Sequence, residues 1–217
     1  LGPKSKPAHC WFHEGHGNID LYEALERSCN VYFFNVAKRL TPDEIAHYAH
    51  ELGLGEPLRI EISRMAPGLI PDSAWKKARF NQPWYQGETL NMAIGQGYML
   101  VTPFEILRLT SIIAKNGKIV EPHLVVQDRT VMPETSRVAI REENLDVIKR
   151  AMLQVVESEY GTGQLARVDF DKLAGKTGTA QAPPQKAHSW MTGFFPYKNP
   201  KIAFVVFVEH GGSGGIT

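Results

Sequence analysis

The chain has 217 residues, 43% of them hydrophobic, enough to bury a sizeable core at the length of a single domain over residues 1–217. Its 24 basic and 23 acidic residues leave a formal net charge of +1, which argues against nucleic acid as a partner and against a basic face for anionic lipid. The longest apolar run, Ile202 to Val208, is too short to cross a bilayer, and the first residues lack the charged-then-apolar pattern of a signal peptide.

In chain order, Asp20 is placed to N-cap a helix carrying Leu21, Ala24 and Leu25. The aromatic run Val31 to Phe34 leads into a second helical stretch through Val36 and Leu40, with Ser28-Cys29-Asn30 between the two. Thr41-Pro42-Asp43-Glu44 and Thr102-Pro103-Phe104-Glu105 each set a Thr cap, a proline at the first helical position and a glutamate at the third, and so predict two further helix starts. Gly53 to Glu88 is rich in proline, glycine and tryptophan without periodicity, and reads as an ordered surface excursion. Leu145, Ile148, Met152, Val155 and Val156 recur at helical spacing and stop before Gly161-Thr162-Gly163, which predicts an amphipathic helix laid on a sheet. Val168 to Gln181, His188 to Pro196 and Ile202 to Glu209, with a turn at Lys198-Asn199-Pro200, read as an antiparallel meander. Its last strand is apolar on both faces, so helices are expected on both sides of the sheet in an α+β fold.

Two short motifs carry chemistry: Ser28-Cys29-Asn30, and Lys176-Thr177-Gly178 continued by Thr179. A serine hydroxyl attacks an amide only when a neighbour removes its proton, and a lysine beside a second serine forms such a relay. Ser28 suits the second-serine role, and Asn30 can donate its amide to a substrate carbonyl while its oxygen orients the lysine. Lys176 adds a positive charge beside Ser28. Strand alternation sets Lys176 and Gly178 on one face, and the missing Cβ of Gly178 admits a substrate backbone. Thr177 and Thr179 offer hydroxyls to a carboxylate, and the Thr179 N–H can form half of an oxyanion hole. An exposed strand edge there could pair with an extended peptide ending in carboxylate. Taken singly, each triplet also describes a solvated helix boundary or a strand end; the case rests on the two together.

These motifs, with Gly15-His16-Gly17, Glu26 to Phe34, Trp84-Tyr85-Gln86-Gly87, Ile94-Gly95-Gln96-Gly97, Thr102-Pro103, Gly161-Thr162 and His188-Ser189-Trp190, resemble the transpeptidase domain of class B penicillin-binding proteins, and most of all the elongation type that maintains rod shape. The resemblance covers nearly the whole chain. It implies the penicillin-binding transpeptidase fold, an antiparallel five-stranded sheet between helices, and cross-linking of peptidoglycan stem peptides through a serine acyl-enzyme that β-lactam antibiotics mimic. It also implies a periplasmic face, an inner-membrane anchor outside this chain, and a membrane glycosyltransferase of the elongation machinery as partner.

The family order places Ser-x-x-Lys before Ser-x-Asn, and no serine before Ser28 fits it. The nucleophile helix and first strands are expected before Leu1 and a final helix after Gly211-Gly212-Ser213-Gly214-Gly215, so the chain reads as a fragment that cannot acylate alone. Ser73-Ala74-Trp75-Lys76 matches the pattern but follows Ser-x-Asn and is set aside. Gly211 to Gly215 matches a G-x-S-x-G elbow with nothing after it to complete a triad, and reads as a flexible strand exit. A β-lactamase is a weaker alternative, because Glu88-x-x-Asn91 is one residue short of the class A spacing. A β-lactam sensor or catalytically dead binding module is the alternative from another class.

Cys10, His16 and Cys29 form a soft-ligand set for zinc that would brace the Ser-x-Asn corner. The elongation-type relatives are similar, with a carboxylate in the place of Cys10 and another ligand upstream of Leu1, which leaves His13 as a candidate fourth ligand here. Free thiols and a Cys10–Cys29 disulfide are the other two readings of the pair.

Overall fold

The computed structural model describes residues 8–58, 60–61, 65–120, 122–125 and 136–216. Helix starts follow the caps. Asp20 closes a capping box on α1 (Leu21–Glu26), Thr41 on α3 (Pro42–Glu51) and Thr102 on α6 (Pro103–Ala114). Between α1 and α3, α2 (Asn30–Ala37) takes in the whole aromatic run. The amphipathic stretch forms α7 (Glu142–Glu157), burying Leu145, Met152, Val155 and Val156.

The segment expected to be a surface excursion contains α4 (Ser73–Phe80) and the start of α5 (Gln86–Met92), and it is not superficial. Asp72 caps α4 by accepting from the Trp75 N–H at 2.6 Å. Pro71 is fully buried, Leu54 and Ile70 join a core with Ala46 and Met92, and the Glu105 carboxylate accepts from the N–H groups of Gly55 at 2.8 Å and Gly68 at 3.1 Å. The Glu105 bonds come from α6, which local periodicity cannot show. A Cβ at Gly68 would meet the Leu100 carbonyl and the Glu105 carboxylate, so only glycine allows that approach.

The meander is β1 (Ala174–Ala180), β2 (His188–Phe195) and β3 (Ile202–Val208), antiparallel in the order β1-β2-β3. Register runs from Ala174↔Phe194 to Ala180↔His188 on one side of β2 and from Phe195↔Ile202 to Ser189↔Val208 on the other. The first strand is shorter than expected, since residues 168–173 stay irregular. Helix α7 lies against β1 and α6 against β2 and β3. Ala174 and Phe194, both fully buried, pack with Ala114 of α6 and Met152 of α7. Ile202, Val206, Phe207 and Val208 stay exposed, while Ala203, Phe204 and Val205 are partly covered. The mixed helix and antiparallel-sheet architecture is as expected, while three of the five strands implied by the resemblance occur among the described residues and the sheet is open.

Candidate active site

Ser28 sits at the corner between α1 and α2 with φ 52°, in the left-handed region that non-glycine residues rarely enter. Several bonds hold it there. The Cys29 N–H reaches back to the Ala24 carbonyl at 2.8 Å, and the Trp11 indole N–H bridges the carbonyls of Arg27 at 3.0 Å and Ser28 at 3.1 Å. Cys29 is the N-cap of α2, and Asn30 is its first residue. The corner is further tied to α7, because buried Glu26 accepts from Ser158 Oγ and its carbonyl accepts from the Thr162 N–H at 3.2 Å.

Strand β1 brings the second motif to this corner across 148 residues of chain. Lys176 Nζ donates to Ser28 Oγ, and also to the Thr177 carbonyl at 3.0 Å. Burial pushes the Lys176 ammonium down to about 8. The amine is therefore mostly charged at neutral pH yet close to titration.

The alternation argument accounts for the strand but not for every hydroxyl. Thr177 is opposite Lys176 in the pleat, yet its Oγ1 lies 2.7 Å from Thr162 Oγ1, which is itself 3.5 Å from Ser28 Oγ. The Thr179 hydroxyl accepts from the Gly214 N–H at 3.1 Å, and Gln96 Nε2 donates to the Thr179 carbonyl at 3.1 Å. A Cβ at Gly214 would collide with the carbonyl oxygens of Gly178 and Trp190. The glycine-rich exit from β3 is therefore packed across the end of the motif strand, which corrects its reading as a flexible strand exit.

Cys10 Sγ, Cys29 Sγ and a His16 ring nitrogen all lie within 4.8 Å of one another. Cys10 Sγ is 3.5 Å from His16 Nδ1, and both cysteines are buried and free. Burial, then the charge of Arg27, lowers the His16 pKa, and burial raises that of Cys29. A neutral imidazole beside two thiols is a donor set that suits zinc. His13 is exposed and outside the cluster, so it does not supply the expected fourth ligand among the described residues. A cavity of about 320 Å³ opens beside the cluster, lined by Asn18, Tyr32 and Asn35 among others.

The set-aside motifs have structural partners. Ser73 Oγ donates to the Asp43 carboxylate at 2.8 Å, and Lys76, 3% exposed, pairs with Glu88 and bonds Tyr98 at 3.1 Å. Glu88, the residue that a β-lactamase reading would need for water activation, is thus engaged by Lys76 and by the Tyr85 N–H at 2.9 Å.

The family model described as the penicillin binding protein transpeptidase domain matches residues 3–217. The chain belongs to that family. Among curated relatives, the peptidoglycan D,D-transpeptidase MrdA of Haemophilus influenzae is 34% identical over 232 residues, covering 94% of this chain and 35% of the relative. The penicillin-binding-protein chain thus spans about a third of the length of the curated relatives it matches. The Pseudomonas aeruginosa PBP2 solved with WCK 5153 superposes with a TM-score of 0.91 at 34% identity, over 100% of this chain and 48% of that one. A complex between PBP2 and MreC from Helicobacter pylori gives 0.88 at 34% identity, over 95% and 39%. The likeness is to the elongation-type class B members of the family.

The sequence assigns no separate role to Trp11, Gln96, Thr162 or Gly214, the last three standing only inside longer motifs. Their contacts are with residues between 15 and 136 positions away. The one signal available was that Gln96 and Thr162 each stand between two glycines.

Proposed function

We propose that this penicillin-binding-protein domain carries the second serine and the substrate strand of a peptidoglycan D,D-transpeptidase, acting on stem peptides and binding β-lactams. The observation that carries the reading is the Lys176–Ser28 contact, which unites the two motifs in one cleft. In this reading a serine outside the 217 residues is acylated. Ser28 passes its proton toward the leaving group, and the Lys176 cation holds the Ser28 oxygen and favours negative charge nearby. Asn30 orients the substrate amide, Thr177 and Thr179 bind the terminal carboxylate, and the β1 backbone pairs with the peptide beside Gly178.

The Cys10–His16–Cys29 set would hold zinc, whose chemistry there is to fix ligand geometry rather than to react. Trp11 follows Cys10 directly and bonds the carbonyls of Arg27 and Ser28, so fixing the ligand loop also fixes the serine corner. The domain is proposed to face the periplasm, with the membrane anchor elsewhere in the protein; no helix among the described residues is long and apolar enough to cross a membrane. A glycosyltransferase of the elongation machinery is the proposed partner, in keeping with a similar chain, 32% identical with a TM-score of 0.83, solved in a peptidoglycan synthase complex that coordinates polymerization and crosslinking.

Intact mass after incubation with a fluorescent penicillin tests the reading. The 217-residue chain is expected to stay unmodified, and the complete protein to gain one adduct that Ser28→Ala slows by about 100-fold or more. An adduct on the chain alone overturns the assignment of the nucleophile, and an unmodified complete protein overturns the function.

A further inference from the structure

The exit from β3 crosses the end of the sheet before it reaches the motif strand. Val208, Ser189 and Thr179 form one rung from β3 through β2 to β1, and the chain beyond Val208 returns across that rung until the Gly214 N–H reaches Thr179 Oγ1 at 3.1 Å. Two histidines fasten it on the way. The His210 N–H donates to His188 Nδ1 at 3.0 Å, and the His210 ring Nδ1 donates to the Lys186 carbonyl, also at 3.0 Å. The Gly212 N–H adds a bond to the Ala187 carbonyl at 2.8 Å. The two imidazole centroids are 4.7 Å apart, and His188 also meets the Phe207 ring at 5.4 Å.

A carbonyl can only accept, so the His210 ring carries a proton on Nδ1, whereas His188 must keep its Nδ1 bare to accept a main-chain N–H. His210 has φ 55°, in the left-handed region that glycine enters freely and a histidine holds only when its surroundings impose it. In that conformation both its main chain and its ring find partners on residues 186–188. Gly212 follows with φ 94°, so the exit makes two left-handed turns within three residues before buried Gly214 settles against the carbonyls of Gly178 and Trp190. A threonine hydroxyl is free to rotate unless its oxygen is held. The Gly214 N–H fills one lone pair of Thr179 Oγ1, which fixes the oxygen and leaves the single hydroxyl proton available for a ligand.

We propose that His188 is a positioning residue for carboxylate recognition: its bare Nδ1 fastens the exit from β3, and the fastened exit sets the Thr179 hydroxyl through Gly214. This rests on the reading above, in which Thr179 binds the terminal carboxylate. It gives a role to the histidine that opens His188-Ser189-Trp190. Among the described residues that ring makes no hydrogen bond to either motif, yet it stands opposite Ala180, one rung from Thr179.

The test is made in the complete protein with a penicillin and its methyl ester, which lacks the anion. For wild type, His188→Phe and His188→Asn, the second-order acylation constant is measured with each compound, Tm is recorded, and deuterium uptake is followed over residues 209–216. Phenylalanine keeps the ring contacts and removes the acceptor, whereas the Asn Oδ1 can take the place of Nδ1. His188→Phe is expected to lower acylation by the acid about tenfold, the size of one lost hydrogen bond, to leave the ester within about twofold, and to raise uptake over 209–216. His188→Asn is expected to restore both the acid-to-ester ratio and the protection. An unchanged ratio in His188→Phe overturns the inference, whether both constants fall together, as a merely structural residue would produce, or neither moves. Unchanged uptake overturns it too, as does an asparagine variant that behaves like the phenylalanine one. Wild type that reacts with neither compound, or equally with both, would instead remove the reading of Thr179 as the carboxylate site, and the uptake result would still decide whether His188 fastens the exit.

Discussion

Gln96 Nε2 donates to the Thr179 carbonyl at 3.1 Å, fastening the Gly95-Gln96-Gly97 loop to the end of β1. Gly95 and Gly97 both have positive φ, 71° and 79°, so the loop turns sharply on either side of the one side chain that makes the bond. The carbonyl it holds belongs to the residue whose N–H is proposed for the oxyanion hole. Gln96→Ala is expected to reduce β-lactam acylation of the complete protein about tenfold, while the unfolding free energy moves by no more than about 1 kcal/mol, because the bond is exposed. Equal acylation by the variant and wild type would show that the loop does not support the strand end.

Lys76 and Glu88 hold α4 against α5 where side-chain exposure is 3% and 20%. The Lys76 ammonium is also 4.7 Å from the Tyr98 ring centre and 4.9 Å from that of Phe80. Bonding to Glu88 raises its pKa, so it remains charged throughout the neutral range. Removing one member strands the other, and Lys76→Ala is expected to cost about 3 kcal/mol in urea unfolding, whereas Lys76→Met with Glu88→Leu recovers most of it. If the single and double variants are equally destabilised, the loss comes from packing and not from the ion pair.

Lys176 gives a pH signature. Its folded-state value of about 8 is below the ordinary lysine value of 10.5, because burial opposes the charge. Between those two pH values the unfolded chain holds a proton that the folded chain has released, so stability rises with pH across that window and is insensitive to Lys176 below it. Relative to Lys176→Met, wild type is expected to gain up to about 3 kcal/mol between pH 8 and 10.5. Parallel profiles for the two proteins would place Lys176 in water.

The thiol–imidazole set predicts a spectroscopic result. Titration with Co²⁺ is expected to give thiolate-to-cobalt absorption that saturates at one ion per chain, and Cys10→Ser or Cys29→Ser to weaken binding by at least about tenfold. Absence of that absorption in reduced protein would overturn the metal assignment. Failure of both cysteines to react with a thiol reagent in the denatured, unreduced protein would place them in a disulfide instead.

Trp11 joins the ligand loop to the serine corner through two indole bonds at 3.0 and 3.1 Å. Trp11→Phe preserves the ring but not the donor. It is expected to leave Co²⁺ affinity within about twofold and to lower acylation about tenfold, since the left-handed Ser28 loses its brace. Loss of metal binding in this variant would mean that Trp11 builds the loop itself.

The helix starts at Asp20, Thr41 and Thr102 were legible in the sequence because a cap is satisfied by residues three positions on. The period of Leu145, Met152 and Val156 was legible for the same local reason. Helix α4 was not, since what orders its surroundings is the Glu105 carboxylate and the Lys76–Glu88 pair rather than an apolar stripe. Residue types and spacing by themselves determined the two motifs, the meander and the soft-ligand set. Only the tertiary structure decided that Lys176 meets Ser28, that Thr162 stands between them and Thr177, that His13 is outside the ligand set, and that Gly214 packs on the motif strand. The reason is physical: a cap or a period is settled within one or two turns of chain, whereas a contact across 148 residues exists only after α7 and the sheet have packed.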